Sequence, residues 1–83
     1  MIVKKEIDSP YILGQILQQG RLLNEMSQRE MAKLLGTGQK WVWEMEQGKP
    51  GILMDRLFMM LDKTGVKLYA EIDIPTEEDN DRI

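Results

Sequence analysis

The amino-acid sequence predicts an all-α bundle of about four helices followed by a single β-strand. Three observations carry this. Four segments place apolar residues three and four apart, the period that gathers them on one helix face. Each segment is bracketed by cap or breaker residues: Ser9-Pro10, Ser27 with Glu30, Gly36 and Gly38, Gly48, Gly65. From Val66 to Ile74 the spacing changes to two, the mark of a half-buried strand.

Taken in order, Met1 to Ile7 alternates weakly, so residues 1–8 read either as a short edge strand or as a disordered lead-in. Ser9 and Pro10 then start a helix, the serine as cap and the proline at the first helical position. Ile12, Leu13, Ile16, Leu17 and Leu23 form its expected core face. Gly20, costly in a helix by about 1 kcal/mol relative to alanine, suggests the close approach of a neighbour. Asn24-Glu25 turns the chain into a second helix. After the loop Gly48-Lys49-Pro50-Gly51, the fourth helical segment repeats Leu53, Leu57 and Leu61, with Met54 and Phe58 alongside, stopped by Gly65. In Val66–Ile74 the apolar side is Val66, Leu68, Ala70, Ile72 and Ile74. A lone strand leaves backbone amides unpaired. Its partner is therefore either residues 1–7 or the same strand of a second copy.

Eighty-three residues make one domain, and a chain this short buries only about three-fifths of its unfolded surface. A dimer interface is the natural source of further burial. With no cysteine and no histidine, neither a disulfide nor the usual zinc ligands are possible, and no metal or cofactor is expected. The usual nucleophile–base pairs are missing too, and Gly36-x-Gly38 is too short for a nucleotide fingerprint, so an enzyme is not expected. No apolar run reaches the length of a membrane helix or a signal peptide, which leads us to expect a soluble cytoplasmic protein. The net charge of −3 is unevenly spread. Residues 71–83 carry six acids and one base, whereas residues 1–70 carry ten bases and eight acids. The body is mildly basic, and residues 75–83 read as a solvated, disordered acidic tail.

The most specific segment is Met26 to Gly48. Ser27 and Glu30 form the S-x-x-E capping box of a short helix whose inner face is expected to hold Met31, Ala32, Leu34 and Leu35. Gly36 breaks it, and Gly38 precedes a second short amphipathic helix. This is the arrangement small proteins use to place a helix end in the major groove of DNA. The string Ser27-Gln28-x-Glu30-x-Ala32-x-x-x-Gly36-x-x-Gln39-x-x-Val42-x-x-Met45-Glu46-x-Gly48-Lys49 resembles the helix-turn-helix core of the Cro/lambda-repressor-type (XRE) regulators. With the Ser9-Pro10 start and the terminal strand, the chain is most similar to HipB-type antitoxins over roughly residues 9 to 72.

On the second motif helix, Val42, Met45 and Glu46 fall together while Gln39, Lys40, Trp43 and Glu44 face away. A glutamine at a helix start can pair bidentately with adenine, and Lys40 can take guanine or a phosphate. The resemblance places the Gln39 and Lys40 positions in the groove, with Gly38 at the helix start. It gives Gln28 a phosphate contact and a role bracing the groove-reading glutamine. Arg29, at a helix N-terminus, is either a phosphate ligand or the partner of Glu25. Lys33 and Lys49 are further phosphate candidates. The position of Glu46 is nearly fixed in the family, and we read it as bracing nearby loop amides. Trp41 and Trp43 depart from the family pattern of small residues. Trp43 is expected either to pack on a thymine methyl or a sugar or to block close docking, and Trp41 at the edge of the core. Both also suit a protein contact. Glu44 either accepts from cytosine or repels phosphate. Of the methionines, Met31, Met45 and Met54 are expected as core filler, with Met59 and Met60 toward a dimer seam.

These readings divide the chain into a lead-in (1–8), a helix-turn-helix DNA-binding domain of lambda-repressor type (9–65), a dimerisation strand (66–74) and a tail (75–83). The resemblance favours pairing that strand across a homodimer through Val66, Leu68, Ala70 and Ile72. It further implies a repressor of its own operon, bound to operator DNA and to a HipA-like serine/threonine kinase toxin. Two rivals are a stand-alone phage- or plasmid-type repressor and an adaptor that has lost operator binding.

Overall fold

The computed structural model describes residues 1–49 and 51–76. In order they form strand β1 (Ile2–Ile7), helices α1 (Pro10–Leu23), α2 (Gln28–Leu35), α3 (Gln39–Gln47) and α4 (Ile52–Thr64), and strand β2 (Leu68–Asp73). The molecule is thus mostly helical with a two-stranded sheet. From residue 77 on, the predicted tail lies outside the described residues. No helix among the described residues is long and apolar enough to cross a membrane.

Local chemistry sets the helix ends. Ser9 Oγ accepts from the amide of Ile12 at 3.2 Å, and Pro10 opens α1. The Ser27 hydroxyl accepts from the Glu30 amide at 3.0 Å while the Glu30 carboxylate accepts from the Ser27 amide at 3.1 Å. The capping box therefore forms in full, and those bonds hold the Glu30 carboxyl below its ordinary value. α2, α3 and α4 all end on left-handed glycines, Gly36, Gly48 and Gly65.

α1 crosses α3 at very short range, and the residue that permits it is Gly14 rather than Gly20. A Cβ on Gly14 would stand 2.4 Å from the Glu46 carbonyl oxygen, whereas one on Gly20 would meet nothing within 4 Å. Gly48 is held equally tightly. Its φ is +67°, and an added Cβ would lie 2.5 Å from the Cα of Tyr11. The chain reversal after α3 is therefore seated on the first turn of α1. Around this crossing sit Ala32 and Val42, at 3% and 4% exposure, and Ile7 is buried at the sheet end.

Of the two readings of residues 1–8, the edge strand is the one formed. β1 pairs antiparallel with β2, from Ile2 opposite Asp73 to Ile7 opposite Leu68. Of the two partners considered for β2, residues 1–7 therefore supply the one within the chain, which makes a two-stranded sheet where a single strand was expected, and the pairing across a homodimer through Val66, Leu68, Ala70 and Ile72 is a separate proposal. One edge of β2 is satisfied inside the chain, and Ala70 and Ile72 turn their alternating face inward and are half-buried. Val66 precedes the strand altogether. Its amide donates to the Leu61 carbonyl at 3.1 Å, in the stop of α4.

Two apolar assignments also change. Leu34 and Leu35 are 73% and 57% exposed, so the inner face of α2 reduces to Ala32 with Met31 and Gln28 half-buried. On α4 the packed residues are Met54, Phe58 and Leu61, while Leu53 and Leu57 are exposed. A period of four drifts around a helix of 3.6 residues per turn, so the leucine stripe leaves the packed face.

Candidate nucleic-acid interface

The site is organised from within by a charged group that sequence reasoning missed. Arg21, near the end of α1, lies on the same helix face as Gly14, seven residues earlier. Because Gly14 brings α1 against α3, the Arg21 guanidinium meets the Glu46 carboxylate squarely. Nε donates to Oε2 at 2.6 Å and Nη2 to Oε1 at 3.0 Å. A third bond, from Nη1 to the Met26 carbonyl at 2.7 Å, ties the turn ahead of α2 to the same group. The side chains are only 8% and 4% exposed. Hydrogen bonding to Arg21 holds the Glu46 carboxyl below its ordinary value despite burial, and the same bond raises Arg21.

Glu46 therefore does not brace loop amides, as we expected. It is the buried counter-ion of Arg21, and its Oε1 also accepts from Gln28 Nε2 at 3.1 Å. The signal available in sequence was a cation placed two turns after a helix glycine, opposite a glutamate on the inner face of the next-but-one helix. Gln28 is held in place by this bond, with Glu46 rather than Gln39 as its partner. Locking Gln28 to Glu46 fixes the start of α2 against the middle of α3.

What the inner network leaves outside is a row of exposed residues on α3. Gly38 caps the helix with extended backbone and no side-chain bond, and Gln39 follows in the first turn. Gln39 is exposed, the Lys40 side chain is 84% exposed and Trp43 is 48% exposed. Arg29, next to Gln28 at the start of α2, is exposed and forms no ion pair with Glu25 among the described residues. Lys33 is exposed as well.

Glu44 is paired within the chain. Its Oε1 accepts from Lys49 Nζ at 3.1 Å and lies 3.8 Å from Lys40 Nζ. One carboxylate so sits between two of the predicted phosphate ligands, offsetting part of their charge on the free protein. Trp41 is 48% exposed, more than its expected place at the core edge allows. It lines a cleft of about 450 Å³ with Pro10, Met45, Ile52, Leu53 and Met54. The arrangement thus presents an amide, a cation and an indole from one short helix, flanked by a second helix N-terminus.

No family model, curated protein or solved structure matches this chain.

Proposed function

We propose that this chain is a DNA-binding repressor of the lambda-repressor type, acting as a homodimer. In this reading α3 lies in the major groove. Gln39 reads a base edge, Lys40 a guanine or a phosphate, and Trp43 packs on a thymine methyl or a sugar. Gln28, Arg29 and Lys49 hold phosphates and fix the register. The observation that carries the reading is the division of α3: its inner side is pinned by the Arg21–Glu46–Gln28 network, while Gln39, Lys40 and Trp43 are exposed on the outer side. A helix held from within that exposes a polar edge is what base readout requires. The resemblance of residues 27–49 to XRE regulators, and of 9–72 to HipB-type antitoxins, supports a self-repressing antitoxin that binds a HipA-like kinase.

The test is binding of the chain to the DNA upstream of its own reading frame, titrated with salt. A specific complex loses affinity steeply as salt rises. Gln39→Ala reduces discrimination between the preferred site and a base-substituted one by about 1–3 kcal/mol, whereas Arg29→Ala weakens all sequences alike. Absence of any sequence-specific complex at low salt refutes the reading.

A second reading is favoured by the two half-exposed tryptophans and the cleft beside Trp41: a protein adaptor without operator binding. It predicts that a kinase encoded beside this gene binds the chain, that Trp41→Ala weakens that complex, and that upstream DNA does not compete. DNA binding without kinase binding instead leaves the stand-alone repressor.

A further inference from the structure

Glu44 is the acid of the outer row of α3, and the chain holds it there between two lysines. Lys40 precedes it by one helical turn and stands 3.8 Å away, its side chain 84% exposed. Lys49 reaches it from beyond the helix, Nζ donating to Oε1 at 3.1 Å. This second contact is built into the backbone. The Lys49 amide donates to the Glu44 carbonyl at 3.0 Å, closing the helix over left-handed Gly48, and Gly48 is seated against Tyr11 of α1. The Lys49 stem therefore starts beside the carboxylate it meets. Glu44 is the more enclosed of that pair, 27% exposed against 53%. Helix stability does not account for the arrangement. A cation one turn ahead of an acid is the less favourable order for such a pair, and an acid near the end of a helix opposes its dipole. Exposed pairs of this kind contribute little to folding. What the carboxylate does change is the field on the proposed groove face, where it cancels half of the charge that the two lysines bring.

We infer that Glu44 is a specificity-determining residue: it suppresses binding to unrelated DNA by holding Lys40 and Lys49, and releases them where a base edge in the major groove offers an amino donor. The inference rests on the groove placement of α3 in the reading above. On an arbitrary duplex the carboxylate keeps its lysines. Fewer phosphates are then neutralised and fewer counterions leave, and counterion release is what drives non-specific association. If the lysines let go to take phosphates, the acid faces the groove without a partner, and its charge repels the DNA backbone. The N4 amino group of cytosine, or the N6 amino group of adenine, removes that conflict by donating to the carboxylate. Both lysines are then released to phosphate. The cost of a wrong base is thus a partnerless acid, felt only away from the preferred site.

The test uses the full chain with two duplexes, the DNA upstream of its reading frame and a scrambled sequence of equal length and composition. Binding is followed by fluorescence anisotropy at low salt and through a salt series. Glu44→Gln keeps the shape of the side chain and removes its charge. It should tighten binding to the scrambled duplex at least about tenfold and steepen the slope of log K against log salt by about one, as one more phosphate contact would. Preference for the upstream duplex should fall at least about fivefold, the lower end of what one base contact supplies. In a Lys40→Met, Lys49→Met background the same substitution should change binding less than about twofold, since no lysine is left to release. An acid acting only as a distant charge would keep its full effect there. Glu44→Ala, for which the same results are expected, takes its place if the glutamine variant does not fold. Unchanged affinity for the scrambled duplex, or a full effect in the lysine-free background, overturns the inference, while specific binding by the wild type keeps the repressor reading. Tighter binding of both duplexes by Glu44→Gln, where the wild type prefers neither, supports the suppression by Glu44 and removes the repressor reading. No binding of either duplex by either protein removes both.

Discussion

Replacing Glu46 with alanine strands the Arg21 guanidinium in the protein interior. The pair makes two charge-assisted bonds, at 2.6 and 3.0 Å, between side chains 8% and 4% exposed. Removing one member of such a pair costs about 3–5 kcal/mol, because the remaining charge has lost its counter-ion and cannot recover water. For a domain of this size each kcal/mol lowers Tm by about 4–8 °C, so Glu46→Ala should melt at least about 12 °C below the parent. Arg21→Met with Glu46→Leu removes both charges and should recover much of that loss. It will not recover all of it, since the Met26 carbonyl and the Gln28 amide lose their bonds as well. Urea unfolding of the parent, Arg21→Met, Glu46→Leu and the double variant closes a cycle. We expect a coupling of about 2 kcal/mol or more, with Glu46→Gln replacing Glu46→Leu in both the single and the double variant if Glu46→Leu alone does not fold. A coupling below about 0.5 kcal/mol would show that the pair organises nothing.

The α1–α3 crossing makes a paired prediction at two glycines. Gly14→Ala forces a methyl against the Glu46 carbonyl and should destabilise by about 1–3 kcal/mol or more, while Gly20→Ala meets open space and should stabilise by up to about 1 kcal/mol. Thermal melts of the two variants, moving in opposite directions, check this. Stability should also fall in acid through Glu46. Its carboxyl is held below the ordinary value of 4.5, chiefly by the Arg21 hydrogen bond, so near that pH the unfolded chain binds more protons than the folded one. The stabilisation is present above about pH 4.5 and is lost as pH drops through the folded value. Urea midpoints measured from pH 7 to pH 3 should fall in that window for the parent, and less steeply for Glu46→Gln. Equal slopes would assign the acid loss to other carboxylates.

The helix boundaries were legible because capping is a local matter. Ser9, Ser27 with Glu30, Gly36, Gly48 and Gly65 each act within four residues of where they stand. The outer row of α3 was legible for a similar reason, since a nine-residue amphipathic helix has one apolar side to bury. Contacts between distant segments were not. The glycine two turns before Arg21 is a signal only once the crossing helix is known, because a glycine's value depends on which helix meets it, so Gly14 and Gly20 look alike until α3 is in place. The strand was recognised but its partner was not, because an alternating segment pairs as well with residues 1–7 as with its own copy. Leu34, Leu35 and Leu53 follow helical periodicity yet lie in the open, because periodicity reports the side of a helix and not what stands opposite.

The β1–β2 pairing has a consequence for synthesis. Ile2 must wait for Asp73, so β1 stays single until a residue seventy-one positions later has been made. At about 5–20 residues per second, that leaves its edge unpaired for several seconds, long enough for a nascent neighbour or a chaperone to reach it. The helices between the strands close over local contacts within that interval, and the sheet fastens the molecule last.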